Sequence, residues 1–425
     1  MGKRAVSAQN KRLRKKFARL RGVYDAAVAR ILMKIKRNPG AMEDFYEGQD
    51  VAQSLRAEKI RSDNPTLFKE ETLQMNDGST FIWLYGDFQQ LVIYFVETCP
   101  AFREAVAESL AKHPCSSSQP WHIVKYSDEI VPGNPMRQEN ERKVWGFYST
   151  FREFGKARIS QTRFWIPIAV LRSYVALRVR GGLSCVTRVI LRGWFIGPLG
   201  WSTGGVVVTL HGTPTLLFAI LSNLLGDEEA LTRMTSTKGA SGLVPCILCL
   251  NCVCKGNDVD NLVNLDTDDY LVDISCADIK KFDRASDTTV WEKVDVSQNL
   301  RVGNPEFVKR ERAMGLTWNR HGLLADKELR PHVKIASIWT YDPTHNCYAN
   351  GLGHAEIYQF LQCLKLHTVS CESIQDLMVG WKWPAFHKTS TTRAQAVFNK
   401  GRESSEERRF KGTASEILLV YPILR

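Results

Sequence analysis

At 425 residues, 44% hydrophobic and 24% charged, the chain has the composition of a globular protein of two or three domains, neither disordered nor fibrous. Its net charge of +12 is local, because residues 1–37 hold thirteen Lys or Arg against one Asp and the remainder sums to zero. Eleven scattered cysteines argue against a disulfide scaffold, and early apolar residues broken by Lys and Arg argue against a signal peptide; a reducing compartment is expected, where cysteine clusters bind metal.

The basic arm spans residues 1–45. In it Leu13, Phe17, Leu20, Tyr24, Ala27, Ile31 and Ile35 recur at three- and four-residue steps, the pattern of one helix face, with Lys and Arg on the others. Such a helix can dock its apolar stripe, bind phosphates by releasing counterions, or serve as a nuclear import signal. Residues 46–118 read as mixed and mainly helical and end in the loop 114–118. From Trp121 the character becomes strand-like, with strands predicted at 121–128, 144–151 and 164–171, rich in aromatic and β-branched residues. A helix follows at 174–191, its basic face carrying Arg178, Arg180 and Arg188. The apolar stretch 206–225 has nearly membrane-spanning length, but His211, Gly212, Pro214 and Asn223 divide it, so two buried strands are expected and no membrane partner. Its second part, 216–224, runs into Gly226-Asp227, and a helix resumes at 228–234.

Residues 235–333 break the pattern with cysteines, many Asp and several Asn, and read as an insertion. A strand at 335–341 and a helix at 355–366 complete the order. The last residues, 417–425, are apolar and lack a polar tail, as expected if the chain is a fragment of a longer protein. Three strands, helix, strand, helix, insertion, strand, helix is the order of the ribonuclease-H-like plan: an α/β fold with a mixed five-stranded sheet flanked by helices. The core then divides into 119–234 and 334–425 around the cysteine-containing insertion, behind a helical N-terminal region.

In that plan Asp128 lies on the first strand, Asp227 at the end of the fourth and Glu356 on the last helix. Clustered carboxylates repel one another unless a divalent cation neutralises them. A pair of such ions, about 3.5–4 Å apart, activates water and stabilises the leaving oxygen of a phosphodiester. Taken singly, an Asp at a strand end is more often a cap or turn residue, so the argument rests on all three falling on matching elements. The cysteines read Cys246-x-x-Cys249-x-x-Cys252-x-Cys254, and a CxxC knuckle supplies two thiolates, half of a tetrahedral Zn²⁺ site. Cys252, Cys254, Cys276, His345 and Cys347 are open as further ligands, and ordinary buried thiols are the alternative.

Three short motifs in order carry a resemblance. Tyr126-Ser127-Asp128-Glu129, followed by Pro132-Gly133-Asn134, resembles the first catalytic motif of Plavaka-type and related Kyakuja–Dileera–Zisupton transposases. Gly226-Asp227-Glu228-Glu229-Ala230 and then Cys246-Ile247-Leu248-Cys249 are similar to their second Asp and CxxC, although Glu228-Glu229 replaces the usual x-Pro-Glu. Tyr341-Asp342-Pro343-Thr344-His345 resembles the Asp-x-x-His signature of those families and, more distantly, of CACTA elements. The resemblance covers roughly residues 121–366. It implies a DDE/D transposase that uses Mg²⁺ (or Mn²⁺) held by Asp128, Asp227 and Glu356, with Asp342 as the alternative third acid. It couples Cys246 and Cys249 with His345 around Zn²⁺; the alternative role for His345, following Asp342 at a strand end, is to orient a carboxylate or phosphate near the active site. It further implies nuclear DNA as partner, with self-association into a homo-oligomer left open. The rivals are a domesticated DNA-binding protein that no longer cuts, and a zinc-stabilised protein-interaction module.

Overall fold

The computed structural model describes residues 62, 64–130, 143–254, 271–299, 305–349, 351–379, 397–398, 400–414 and 416–419. The basic arm and its expected helix lie outside them. The chain divides into two compact units, Met1–Phe68 and Lys69–Arg425. The described part of the first includes a 3-10 turn at Pro65–Leu67; the second carries the sheet and every described site residue.

The centre is a mixed five-stranded sheet in the order β5-β4-β3-β8-β11. Strands β3 (Trp121–Ile130), β4 (Val144–Phe151) and β5 (Ile166–Arg172) form an antiparallel meander. Strand β8 (Ala219–Gly226) lies parallel to β3, and β11 (Trp339–Tyr341) parallel to β8. Ile123, Val124 and Lys125 of β3 are successive buried residues, as a strand covered on both faces requires.

Helices cover this sheet. Helix α1 (Phe88–Thr98) is capped by Asp87, which accepts from the Gln89 amide at 3.1 Å, and α2 (Pro100–Lys112) follows it. An aromatic layer joins α1 to the sheet: the ring centroid of Phe88 lies 4.8 Å from Trp194 and 5.7 Å from Phe151, and Phe151 is 5.5 Å from Trp121. Helix α3 (Ser173–Arg178) and α4 (Gly182–Phe195) follow β5. The sequence predicts them as one helix; Gly181 and Gly182, at φ +92° and +58°, break it where a side chain would be strained.

Other expectations change in detail. The mainly helical reading of 46–118 holds for α1 and α2 but not for β1 (Phe68–Gln74) and β2 (Thr80–Gly86), which pair with each other. The apolar stretch 206–225 forms three strands and not two: β6 (Val206–Leu210) and β7 (Thr213–Leu217) make a hairpin turning at His211-Gly212, and β8 begins at Ala219. Among the described residues no helix is long and apolar enough to cross a membrane. Residues 335–338 form a helical turn, leaving β11 only three residues, which pair with Leu224, Leu225 and Gly226 at the end of β8.

Helix α5 (Glu228–Thr235) closes the first half of the core. The insertion has a small apolar cluster of its own, Leu243, Val244, Val253 and Ala313. It also carries the two-residue strands β9 (Cys252–Val253) and β10 (Val272–Asp273), with helices α6 (Asp287–Asn299) and α7 (Pro305–Met314). After β11 come α8 (Pro343–Tyr348), α9 (Leu352–Leu366) and α10 (Cys371–Val379). A separate C-terminal cluster packs Ile357, Tyr358, Leu361, Ile374 and Met378 against Phe398, Phe410 and Ile417.

Candidate metal centre

Strands β3, β8 and β11 are parallel neighbours, so their carboxyl ends lie at the same edge of the sheet, where ligands of open α/β sheets bind. Asp128 sits two residues beyond the last β3–β8 pair, Tyr126 with Leu225. Asp227 immediately follows β8, and Asp342 immediately follows β11, its amide donating to the Gly226 carbonyl at 2.8 Å. Gly226 permits the tight turn into α5: a Cβ there would stand 3.0 Å from that of Ala230 and 3.2 Å from the Ser127 carbonyl oxygen.

Ligand atoms of Asp128, Asp227 and His345 all lie within 4.8 Å of one another, and all three residues are half-buried. This donor set fits a metal ion, whose charge would offset the repulsion between two carboxylates. Each member is held by a partner. Tyr126 donates its hydroxyl to Asp128 Oδ2 at 2.9 Å. The Ala230 amide donates to Asp227 Oδ1 at 2.6 Å, making Asp227 the N-cap of α5. His345 Nδ1 lies 2.7 Å from Asp342 Oδ2, while Asp342 Oδ1 accepts from the Thr344 amide at 2.8 Å and caps α8.

The electrostatics follow from these contacts. Burial raises the Tyr126 phenol, and the charge and hydrogen bond of Asp128 raise it further, followed by the charges of Asp342 and Asp227. Burial by itself would lower the His345 imidazolium; the hydrogen bond and charge of Asp342, with Asp128 and Asp227, outweigh it and raise the group above its ordinary value.

The structure thus brings together Asp128, Asp227 and His345, and sets Asp342 behind His345. It does not bring in Glu356. That residue is on α9 as expected, but the buried stripe of α9 is His354, Ile357, Tyr358 and Leu361, and Glu356 falls off it into an exposed position outside the ligand group. Nor does His345 form a three-ligand group with Cys246 and Cys249 among the described residues, because it follows β11 into the carboxylate centre.

Cys246 and His345 nevertheless line one cleft of ≈ 820 Å³, together with Asp227, Lys238 and Tyr341. Cys246 Sγ is 3.8 Å from the Tyr341 hydroxyl. A hydrogen bond from Cys249 lowers Cys246 to about 6, against the opposing effect of burial, and raises Cys249 in turn. Cys252 is buried in β9, whereas Cys254, Cys276 and Cys347 are half-buried. The partner roles of Tyr126 and Asp342 are absent from the sequence reading; the i, i+2 spacing of Tyr126 and Asp128 on one strand face was the available signal for the first. Set against models of known protein families and against curated proteins, the chain matches none.

Proposed function

We propose that this chain is a transposase-type nuclease and strand transferase with a ribonuclease-H-like core, acting on DNA through a divalent-metal carboxylate centre. The observation that carries the reading is the convergence of Asp128 and Asp227, 99 residues apart in sequence, with His345 at the ends of three parallel strands. The strand order and directions fit the same plan.

Asp128, Asp227 and His345 would hold Mg²⁺ or Mn²⁺. Such an ion supplies acidification of a bound water and charge stabilisation at the phosphodiester. Tyr126 fixes the rotamer of Asp128, the Ala230 amide fixes Asp227, and Asp342 fixes the His345 ring. Lys238 lines the same cleft as Asp227, its ammonium held 3.3 Å from Glu311 Oε2. In the same reading Cys246 and Cys249 contribute half of a Zn²⁺ site, and the arm 1–45 adds non-specific phosphate contacts and nuclear import.

A non-cutting, DNA-binding descendant of a transposase is the second reading. It is favoured by one observation, the exposed position of Glu356 outside the ligand group. Incubating the full chain with labelled duplex DNA and Mg²⁺ or Mn²⁺, beside Asp128→Asn, separates the two. Cleavage by the wild type alone supports the nuclease. Metal-independent DNA binding without cleavage supports the second reading and refutes the first.

A further inference from the structure

Three ligand residues meet at the strand ends, and in each one polar atom is already engaged by a fixed protein partner. Asp128 has Oδ2 on the Tyr126 hydroxyl, Asp227 has Oδ1 on the Ala230 amide, and His345 has Nδ1 on Asp342. The other polar atom of each, Asp128 Oδ1, Asp227 Oδ2 and His345 Nε2, makes no hydrogen bond among the described residues and is the one most readily offered to an ion. The centre is therefore organised as two single carboxylate oxygens and one imidazole nitrogen. Ca²⁺ is poorly served, since it takes six to eight oxygens and commonly a bidentate carboxylate. Mg²⁺ also prefers oxygen throughout. An imidazole nitrogen shifts preference toward first-row transition ions, and a carboxylate on the far ring nitrogen is the usual support for a histidine that binds metal.

Resting on the reading of the Asp128, Asp227 and His345 group as the metal centre, we infer that it is a mixed nitrogen–oxygen site for a first-row transition ion of the Mn²⁺ class, with His345 Nε2 as a direct ligand. In it Asp342 is a positioning residue and not the third acid. Its two oxygens are both committed, one to the Thr344 amide at the start of α8 and one to His345, so it orients the ring and fixes its tautomer. The same contact gives His345 its place in the centre, because α8 starts directly at the end of β11 and carries the ring in its first turn. Tyr341, the last residue of β11, is half-buried and its hydroxyl lies 3.8 Å from Cys246 Sγ, so Cys246 shares the cleft while the His345 ring groups with the acids.

The test uses the purified full chain, with any bound zinc retained, titrated with Mn²⁺. Free and bound Mn²⁺ are separated by their electron paramagnetic resonance signals, Mg²⁺ affinity is measured by competition, and pulsed resonance reads ¹⁴N coupling to the bound ion. The expected result is tighter binding of Mn²⁺ than of Mg²⁺, with the coupling of one directly bound imidazole. His345→Gln abolishes that coupling. Asp342→Asn keeps a side-chain acceptor for the Thr344 amide, so the fold persists by circular dichroism, yet Mn²⁺ affinity falls by about 10–100-fold. Bound Mn²⁺ without nitrogen coupling, coupling that survives His345→Gln, wild-type affinity in Asp342→Asn, a preference for Mg²⁺, or no Mn²⁺ binding would each overturn the inference. DNA cleavage is scored separately. Nitrogen coupling without cleavage refutes the nuclease and keeps the site, whereas cleavage with no nitrogen coupling refutes this ligand set and keeps the nuclease.

Discussion

Strand β3 handles charge differently on its two faces. On one, Tyr126 and Asp128 are half-buried, hydrogen-bonded to each other and close to Asp227 and His345. On the other, Lys125 and Ser127 are wholly buried: Lys125 Nζ lies 2.7 Å from Ser127 Oγ, 3.4 Å from Met234 Sδ and 5.0 Å from the centroid of the Phe147 ring. Burial alone lowers the Lys125 ammonium to about 7, with no carboxylate contributing. Strand alternation, a period of two, is what separates acids from cation. The acids can then await an external cation, because the strand's own lysine faces the core. A lysine on their own face would neutralise the centre and leave an ion less to do.

Substitutions on each face can break that contrast. The largest expected effect is on the acid face, where Asp128→Asn removes one of two carboxylates and displaces whatever ion the centre holds. Metal-dependent DNA cleavage should fall by about 10²-fold or more, with DNA binding largely retained in a gel-shift assay. Retained cleavage would mean that the reaction does not pass through Asp128.

On the core face, Lys125→Met replaces a poorly compensated amine by an apolar side chain of similar length. It should raise stability by roughly 1–3 kcal/mol, read as a higher denaturant midpoint. The gain should depend on pH with a defined sign. Because the folded group lies near 7 and the free group near 10.5, folding carries no protonation penalty above about pH 10.5. The penalty grows as pH falls towards 7 and is constant below it. The benefit of Lys125→Met should therefore be smallest in alkali and level off below neutrality. A pH-independent benefit would place the lysine's cost in packing and not in charge.

The smallest effect sharpens the contrast without breaking it. Tyr126→Phe removes the hydroxyl from Asp128 Oδ2 and leaves the ring against Tyr148 and Trp165, whose centroids lie 6.3 and 6.0 Å away. Loss of this one hydrogen bond should weaken divalent-ion affinity by about 0.5–1 kcal/mol, measurable by calorimetry, with little change in thermal midpoint.

The acid face was largely legible in the sequence and the core face was not. Alternation and turn signals located β3, β4 and β5, and the step from 216–224 through Gly226 to a helix placed Asp227 at a strand end. Parallel pairing of β3 with β8 then made convergence with Asp128 expected. Glu356 falls outside the ligand group because the sequence gives its helix but not the helix's rotation: the stripe through His354, Ile357 and Leu361 decides what faces inward. His345 was paired first with the cysteines and only alternatively with the carboxylates, since spacing in the chain does not say which side of a cleft a ring takes. Lys125 could not be read as buried, because a lysine within an apolar strand ordinarily marks a solvent face. The two-residue strands of the insertion have too few residues for any period to be visible, so its cysteines remained a spacing without a geometry.

Asp227 carries a further consequence through its double duty as site ligand and helix cap. One oxygen holds the Ala230 amide at the start of α5, and the residue also lines the cleft and belongs to the ligand group. Helix α5 packs its buried residues Ala230, Leu231 and Met234 inward, and Met234 touches Lys125 on the far side of the sheet. The carboxylate is thus a hinge pin between a chemical centre and a structural element. Filling the cleft restrains the pin, and the restraint passes to the first turn of α5, where the Ala230 amide would exchange its hydrogen with solvent more slowly. Occupancy at the strand ends becomes readable from the backbone of a helix.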